Sequence, residues 1–383
     1  MPRFSAVILA AGASSRLGEH KPLVRIGGQS LLERAARLFA AVGAADCLVV
    51  AGCRAEATRA EAARLTESGL PLRCVDNPRH AEGMFTSVQA GLAALPPDVE
   101  AFFVLPVDIP LVRPYTLRLL LDSFASGAGA PAVLHPIFLG RRGHPPLIAA
   151  RWAAALAAYS GADGLAGALA ALEVRQGAAD VFVADAGIHC DADTPEALEA
   201  ARARAQRLDI PLPAQAEALL ALFGAGERGL AHGRGVARAA LALARALNAR
   251  GAALDLELVE AAALAHDIAK GAAGHEAAGA AVLDGLGYGR AARIVAAHRD
   301  IRPEDAPEIT ERELVYLADK LVRGPARVSV ETRFQEKLEA FAADAAVCAA
   351  IRRRLANAQA MRARVEAAAG ADIATILAME EQE

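Results

Sequence analysis

Phe4-Ser5-Ala6-Val7-Ile8-Leu9-Ala10-Ala11-Gly12-Ala13-Ser14-Ser15-Arg16-Leu17-Gly18-Glu19-His20-Lys21 is the stretch on which the reading of this chain turns. Phe4 to Leu9 is a short apolar run of the kind a buried strand needs. Further on, between Ser30 and Val42, Leu31, Leu32, Ala35, Leu38 and Phe39 recur at helical spacing. A glycine-containing turn that leaves a strand can aim backbone N–H groups at a phosphate. Arg16 and Lys21 add two positive charges, which suits a nucleoside triphosphate better than a flat dinucleotide. Neither G-x-x-x-x-G-K-[ST] nor G-x-G-x-x-G fits, because Gly18 is followed by Glu19-His20-Lys21. Taken alone, the same turn also serves as an ordinary strand-to-helix connection with two surface cations.

Outward from this loop, strand-like and helix-like segments alternate to about residue 205. Phe4–Leu9, Cys47–Ala51, Leu72–Val75, Ala101–Val107, Ala132–Pro136 and Val181–Ala184 read as strands. Ala55–Thr66, Thr86–Leu95 and Pro114–Phe124 read as helices between them. Such alternation predicts an α/β domain with a largely parallel sheet, whose ligands bind at the carboxyl ends of strands. Leu208-Asp209-Ile210-Pro211-Leu212-Pro213 breaks the pattern, and from Ala214 onward the periodicity is helical nearly throughout. Two domains are expected, 1–207 and 214–383, the second all-α and ending in an acidic tail, Met379 to Glu383, that frays.

Composition narrows the functional classes. The 383 residues are 54% hydrophobic but only 4% aromatic, as packed helices and small-residue cores require. A net charge of −4, with no basic face or tail, argues against a nucleic-acid partner. No apolar stretch is long enough for a membrane helix, so no membrane partner is expected. Cys47, Cys53, Cys74, Cys190 and Cys348 form no C-x-x-C pair and read as reduced thiols of a cytoplasmic protein.

Asp108 ends the Leu105-Pro106-Val107-Asp108 strand, where a carboxylate either holds Mg²⁺ against a triphosphate or caps a turn. Cys190-Asp191-Ala192-Asp193-Thr194-Pro195 offers further carboxylates, although Asp193 or Thr194 with Pro195 also suits a helix N-cap. Asp76-Asn77-Pro78 and Glu82-Gly83-Met84-Phe85-Thr86-Ser87 place a turn before a helix N-terminus. Gly140-Arg141-Arg142-Gly143-His144-Pro145 is a glycine-punctuated loop whose paired arginines suit a phosphate, or simply a solvated basic turn.

In this order, LAAGASSRLGEHKPL, NPRHAEGMFTSV, LPVDIP, GRRGHP and DADTPE resemble the molybdenum-cofactor cytidylyltransferases of the molybdopterin nucleotidyltransferase family, over residues 4 to 205. The resemblance implies a Rossmann-like, mostly parallel sheet and transfer of a nucleotidyl group from CTP to a molybdopterin-type cofactor, with release of pyrophosphate. It implies that Ala10, Ala11, Gly12, Arg16, Lys21, Gly83, Thr86 and Ser87 bind the nucleotide. Asp108, with Asp191 or Asp193, would hold Mg²⁺, and Arg141, Gly143 and His144 would line the acceptor pocket. Ala11-Gly12 looks like the CTP-using branch. A molybdoenzyme receiving the cofactor is the implied partner. Phe85 stands where relatives have a small polar residue and is expected to reshape the nucleotide site; Val107 stands where many have glycine. A non-catalytic cofactor chaperone and a transferase for sugar or alcohol phosphates are the alternatives.

In the second half, Leu264-Ala265-His266-Asp267-Ile268-Ala269-Lys270 sets a vicinal His-Asp in an apolar helix, where an unpaired buried carboxylate is costly. With His232 upstream and Asp319 downstream, imidazole and carboxylate donors suit Mn²⁺, Fe²⁺ or Ni²⁺. HGRGVARAALALA, LAHDIAK and YLADKLV resemble the HD-domain phosphohydrolases, over residues 225 to 340. By that resemblance His232, His266, Asp267 and Asp319 bind metal and Lys270 binds phosphate. His275 and His298 match positions that bring in a second metal, with Asp267 as the bridge, or else are surface histidines. Gly233 follows His232 where serine is common. Arg323, Arg327 and Arg333 are read as coating a helix. The expectation is a bifunctional enzyme: a nucleotidyltransferase joined to a metal-dependent phosphohydrolase acting on a nucleotide or phosphate ester.

Overall fold

In the computed structural model, which describes residues 1–13, 16–127, 131–298, 300–302 and 308–379, the opening apolar run is strand β1 (Phe4–Ala10), buried along its whole length. Ser14 and Ser15 of the loop, and residues 380–383 of the acidic tail, lie outside the described residues. The chain divides into two units, Met1–Arg207 and Leu208–Glu383.

The other main strands of the first unit are β2 (Asp46–Ala51), β3 (Leu72–Asp76), β4 (Ala101–Pro106), β5 (Val133–Phe138), β6 (Leu147–Ala149) and β7 (Ala178–Phe182). They stand in the spatial order β7-β5-β6-β4-β1-β2-β3. The pairs β1–β2, β1–β4, β2–β3 and β5–β7 are parallel, and β6 runs antiparallel to both β4 and β5. The sheet is thus mostly parallel and Rossmann-like. β6 is too short to announce itself as an apolar run. β7 begins three residues earlier than the expected Val181–Ala184 and ends at Phe182. Ala178, Ala179 and Asp180 have little strand propensity of their own, but the standing edge of Val133–His135 recruits them.

Register positions the site. Leu9 lies opposite Pro106, and Val107 N–H donates to Leu9 C=O at 3.1 Å, so Ala10–Gly12 and Asp108 leave the sheet side by side. One face of β1 and β4 is covered by helix Leu31–Ala40, started by Ser30, whose hydroxyl accepts from Glu33 N–H at 3.0 Å. Phe39 of that helix packs on Phe103 at 5.6 Å between ring centroids, and Phe103 meets Phe4 edge-on at 5.5 Å. Each such buried side chain contributes about 1.5–3 kcal/mol. On the opposite face Val7, Leu9, Phe102 and Val104 share a buried cluster with Val88 and Leu92 of helix Met84–Ala93.

The second unit is helical: Pro213–Leu222, Gly226–Asn248, Leu256–Ala265, His275–Gly285, Gly289–Val295, Glu311–Lys320, Val330–Ala340, Ala345–Ala369 and Ile373–Met379. A two-stranded hairpin, Val322–Arg323 with Ala326–Arg327, interrupts the all-α pattern. Alanines fill much of the core, as in Ala261, Ala262 and Ala263 against the long helix Gly226–Asn248. No helix among the described residues is long and apolar enough to cross a membrane.

Gly91 marks the tightest approach of helix Met84–Ala93 to the sheet, since a Cβ there would overlap Val7 Cγ1. Alanine gains about 1 kcal/mol in helix propensity over glycine, but overpacking against a fully buried, rigid valine costs about 1–3 kcal/mol. Gly91→Ala is therefore expected to lower stability by about 1 kcal/mol in denaturant unfolding. In a Val7→Ala background the same change should become stabilising.

Candidate functional sites

At the carboxyl ends of β1 and β4, three carboxylates converge. Oxygens of Asp108, Asp191 and Asp193 lie within 4.8 Å of one another. Backbone geometry forces this, because Ala192 N–H donates to Asp108 C=O at 2.9 Å and so brings the aspartates on either side of Ala192 against Asp108. Thr194, not Asp193, caps helix Pro195–Ala205, accepting from Ala197 N–H at 3.2 Å. Asp193 is thereby left for the site. Lys21 Nζ donates to Asp108 Oδ2 at 2.7 Å and also to Asp193, while Arg16 reaches Asp193 Oδ2 at 3.5 Å from an exposed position. Burial and then repulsion from Asp108 push the Asp191 carboxyl above its usual range, against the pull of Lys21 and Arg16. An all-oxygen, mutually repelling set of this kind fits a hard cation such as Mg²⁺.

The walls are built from neighbouring loops. Gly12 faces open space beside buried Ala10 and Ala11. Ala11 C=O accepts from Cys53 N–H, and Gly52 is pinched there: a Cβ on it would stand 2.7 Å from Ala11 Cβ and 2.6 Å from His80 Cβ. His20, ahead of Lys21, is anchored through Nε2 to Thr58 Oγ1 at 2.8 Å. Gly83 is exposed at φ +119°, opening helix Met84–Ala93. Thr86 and Ser87, expected at the nucleotide, are both buried, and both hydroxyls accept from Asn77 Nδ2 at 2.9 Å. They brace the turn around Asn77. Phe85 packs edge-on against Tyr159 at 6.1 Å, within the helical layer, so its ring is spent on packing.

In the basic loop, Arg141 is exposed and its carbonyl accepts from His189 at 3.2 Å. Arg142 is tied to Asp180 at 2.7 Å and Glu173 at 2.9 Å, which offsets its charge. Gly143 packs on Ile188, leaving 2.6 Å for a Cβ, and His144 N–H donates to Ile188 C=O at 3.0 Å. Asp185, which the sequence pattern did not single out, holds this region. Its buried carboxylate accepts from Arg113 N–H (2.8 Å), Thr116 Oγ1 (2.7 Å) and Gly187 N–H (2.8 Å). An Asp-x-Gly turn shortly after a strand was its one local signal.

The second unit gathers its donors from five segments. His232 lies in helix Gly226–Asn248, His266 and Asp267 follow helix Leu256–Ala265, and His275 opens helix His275–Gly285. His298 follows Gly289–Val295, and Asp319 lies in Glu311–Lys320. Gly233 has a packing role: a Cβ would stand 2.8 Å from Leu264 C=O, so its absence lets the two helices meet and sets His232 beside His266, ring centroids 5.2 Å apart.

Three imidazoles turn Nδ1 toward a backbone carbonyl: His266 to Ala263 (2.7 Å), His298 to Val295 (2.6 Å) and His232 to Gly324 (3.3 Å). Carbonyls only accept, so Nδ1 carries the hydrogen and Nε2 is the free donor atom. His266 Nε2 is buried without a hydrogen-bond partner and lies 3.5 Å from Asp267 Oδ2 and 3.7 Å from Asp319 Oδ1. His232 Nε2 is 3.3 Å from Asp319 Oδ1; His275 and His298 Nε2 are 3.8 and 3.9 Å from Asp267 Oδ1. Two donor groups result, His232-His266-Asp267 and Asp267-His275-His298, sharing Asp267. An orphaned buried Nε2 in a mixed nitrogen and oxygen set fits a divalent transition metal.

Cations surround the carboxylates. Lys270 Nζ is 2.6 Å from Asp267, Lys320 Nζ 2.7 Å and Arg333 Nη2 2.9 Å from Asp319. Burial opposes ionisation of Asp319, yet Lys320, His232, His266 and Arg333 hold its carboxyl well below the usual range. Burial, then His266, pushes His298 down to about 4. Arg333 therefore belongs to this site and does not merely coat a helix. Arg323 pairs with Glu336, and Arg327 donates to Leu377 C=O.

Residues 6–179 match the MobA-like NTP transferase domain and residues 229–324 the HD domain. A nicotine blue oxidoreductase of Paenarthrobacter nicotinovorans is 33% identical over 201 residues, 51% of this chain and 95% of that protein. A bifunctional IPC transferase and DIPP synthase of Rubrobacter xylanophilus is 41% identical over 120 residues, 30% of this chain; the chain spans only 26% of that protein's length. A nucleotidyl transferase structure from Methanothermobacter thermautotroptrophicus aligns with 54% of this chain and 99% of its own, at 19% identity and a TM-score of 0.45. The chain belongs to the MobA-like NTP transferase family, and its second unit carries an HD domain.

Asp185→Ala strands three buried donors and is expected to destabilise the first unit by about 2–4 kcal/mol in denaturant unfolding. Metal analysis of the purified chain should find a divalent transition metal in the second unit, reduced about tenfold or more in both His266→Ala and Asp267→Ala. Unchanged metal content would refute that site.

Proposed function

We propose that the first unit transfers a nucleotidyl group from CTP to the phosphate of a molybdopterin-type acceptor, and that the second hydrolyses a phosphate ester or anhydride. The observation that carries the first reading is the placement of Lys21 among Asp108, Asp191 and Asp193 at the strand ends. In the reaction an acceptor phosphate oxygen bonds to the α-phosphorus while the bond to the pyrophosphate oxygen breaks. Mg²⁺ held by the three carboxylates would supply charge neutralisation at the triphosphate. Lys21 and Arg16 bind the phosphate oxygens and offset the charge that passes to pyrophosphate. Ala10–Gly12 let the backbone approach the phosphates, and Asn77 with Thr86 and Ser87 keeps the adjoining turn in place. Ala11-Gly12 supports CTP as the nucleotide. The acceptor would enter beside Gly143 and His144, and a molybdoenzyme would receive the product.

In the second unit a divalent metal held by His232, His266, Asp267 and Asp319, and a second by Asp267, His275 and His298, would supply Lewis acidity toward a phosphoryl oxygen and water. Lys270 binds a phosphate oxygen from the open side. One observation favours a second reading of the first unit's acceptor. With Arg142 paired to Glu173 and Asp180, the basic loop, the feature that argues against a sugar or alcohol phosphate acceptor, offers less free charge than its sequence promised.

Pyrophosphate release from CTP, GTP, ATP and UTP, with molybdopterin or with sugar phosphates as acceptor, tests these readings. CTP with molybdopterin should turn over fastest, and Asp108→Ala should lower the rate about 100-fold or more with the fold intact by circular dichroism. Near-normal turnover in that variant would overturn the metal assignment.

A further inference from the structure

A cavity of about 390 Å³ opens over the donor cluster of the second unit. Its lining includes five cationic side chains, Lys270, Lys320, Arg333, Lys337 and Arg354, against the carboxylates Asp267 and Asp319. The excess of positive charge exists before any divalent ion is counted. The two carboxylates are already engaged: Asp267 with Lys270, and Asp319 with both Lys320 and Arg333. Lys337 makes no ion pair among the described residues; its ammonium stands 5.5 Å over the Phe334 ring. Arg354 Nε stands 3.5 Å from Asp300, and that nitrogen and Arg333 Nε are buried without a hydrogen-bond partner. Like charges gathered in one cavity repel, and a bound anion offsets that cost. A single phosphoryl group placed at the metal donors and Lys270 leaves Lys337 without an anion and Arg354 with the 3.5 Å contact to Asp300. Both lie on helices, Val330–Ala340 and Ala345–Ala369, beyond the residues that match the HD domain.

We infer that this cavity holds a second phosphate-binding subsite, formed by Arg333, Lys337 and Arg354, and that the substrate of the second unit is a phosphoanhydride rather than a monoester. The inference rests on the phosphohydrolase reading of that unit. One phosphate lies at the donor cluster and Lys270, and the next at the three cations. Water oxygen bonds to the first phosphorus and the bridging P–O bond breaks. The bond pair leaves on the second phosphate, whose charge the cations offset, and the protons of water pass to the phosphate products and solvent. Inorganic pyrophosphate and nucleoside di- and triphosphates share this chemistry.

The test uses the whole 383-residue chain with Mn²⁺ and has two readouts. Phosphate release is measured on pyrophosphate, CDP, CTP and the monoesters CMP and p-nitrophenyl phosphate, which separates the anhydride sources. The ratio of anhydride to monoester kcat/KM should be about tenfold or higher, and should fall about tenfold in Lys337→Gln and Arg354→Gln. Equal ratios in wild type, or no change of ratio in either variant, would overturn the subsite. Calorimetric titration with methylenediphosphonate against orthophosphate reads binding without hydrolysis. The diphosphonate should bind about tenfold tighter, and Lys337→Gln should remove that preference; no preference overturns the subsite even in an active hydrolase. Tight diphosphonate binding by a chain that hydrolyses none of these compounds would instead overturn the phosphohydrolase reading and leave the subsite standing.

Discussion

The hydrogen bond from Ala192 N–H to Asp108 C=O is the contact on which the first site depends. Three carboxylates do not approach one another unaided, since their repulsion grows as water is excluded. A backbone bond carries no net charge and does not weaken when the aspartates ionise, so it can hold Asp191 and Asp193 against Asp108 regardless. It is supported in turn by the loop behind it. Asp185 fastens Arg113, Thr116 and Gly187, and Ile188 C=O receives His144 N–H, so the segment leading to Asp191 has little freedom. Lys21 offsets the charge that this frame concentrates.

The second unit meets the same electrostatic constraint with different chemistry. Its carboxylates are surrounded by imidazoles whose Nδ1 hydrogens are committed to backbone carbonyls, so each ring presents Nε2 in a fixed direction. Directional nitrogen donors beside two carboxylates select a softer ion than the all-oxygen set of the first unit does. Packing makes this possible. Gly233 lets helix Gly226–Asn248 rest on the Leu264 carbonyl, and the alanine-rich core keeps the helices close enough for His232, His266 and His298 to meet edge to face in sequence.

Much of the architecture is legible in the amino-acid sequence. Strands buried on both faces write themselves as continuous apolar runs, which is why Phe4–Ala10, Asp46–Ala51 and Ala101–Pro106 were readable to within a residue or so. Leu147–Ala149 was not, being three residues long, and Ala178–Asp180 was not, because its neighbours and not its propensity make it a strand. Motif positions such as Lys21, Asp108, His266 and Asp267 were visible because glycine, aspartate and histidine stand out against apolar surroundings. The roles of Asn77, Asp185 and Arg333 were not, since an isolated polar residue carries no mark of the partner it will find across the fold.

The sequence by itself determined the main strands and helices, their order, the change from α/β to helical near residue 208 and most of the residues with the chemistry for each site. Those properties are local, set by periodicity, propensity and turn chemistry over a few residues at a time. Only the tertiary structure decided that Thr194 caps its helix and leaves Asp193 to Lys21, that Thr86 and Ser87 turn inward to Asn77, that Phe85 packs on Tyr159, and that Arg333, Lys337 and Arg354 face one cavity. Each of these is a choice among partners distant in the chain. Such a choice is made by distance and burial once the elements have packed, and no local pattern encodes it.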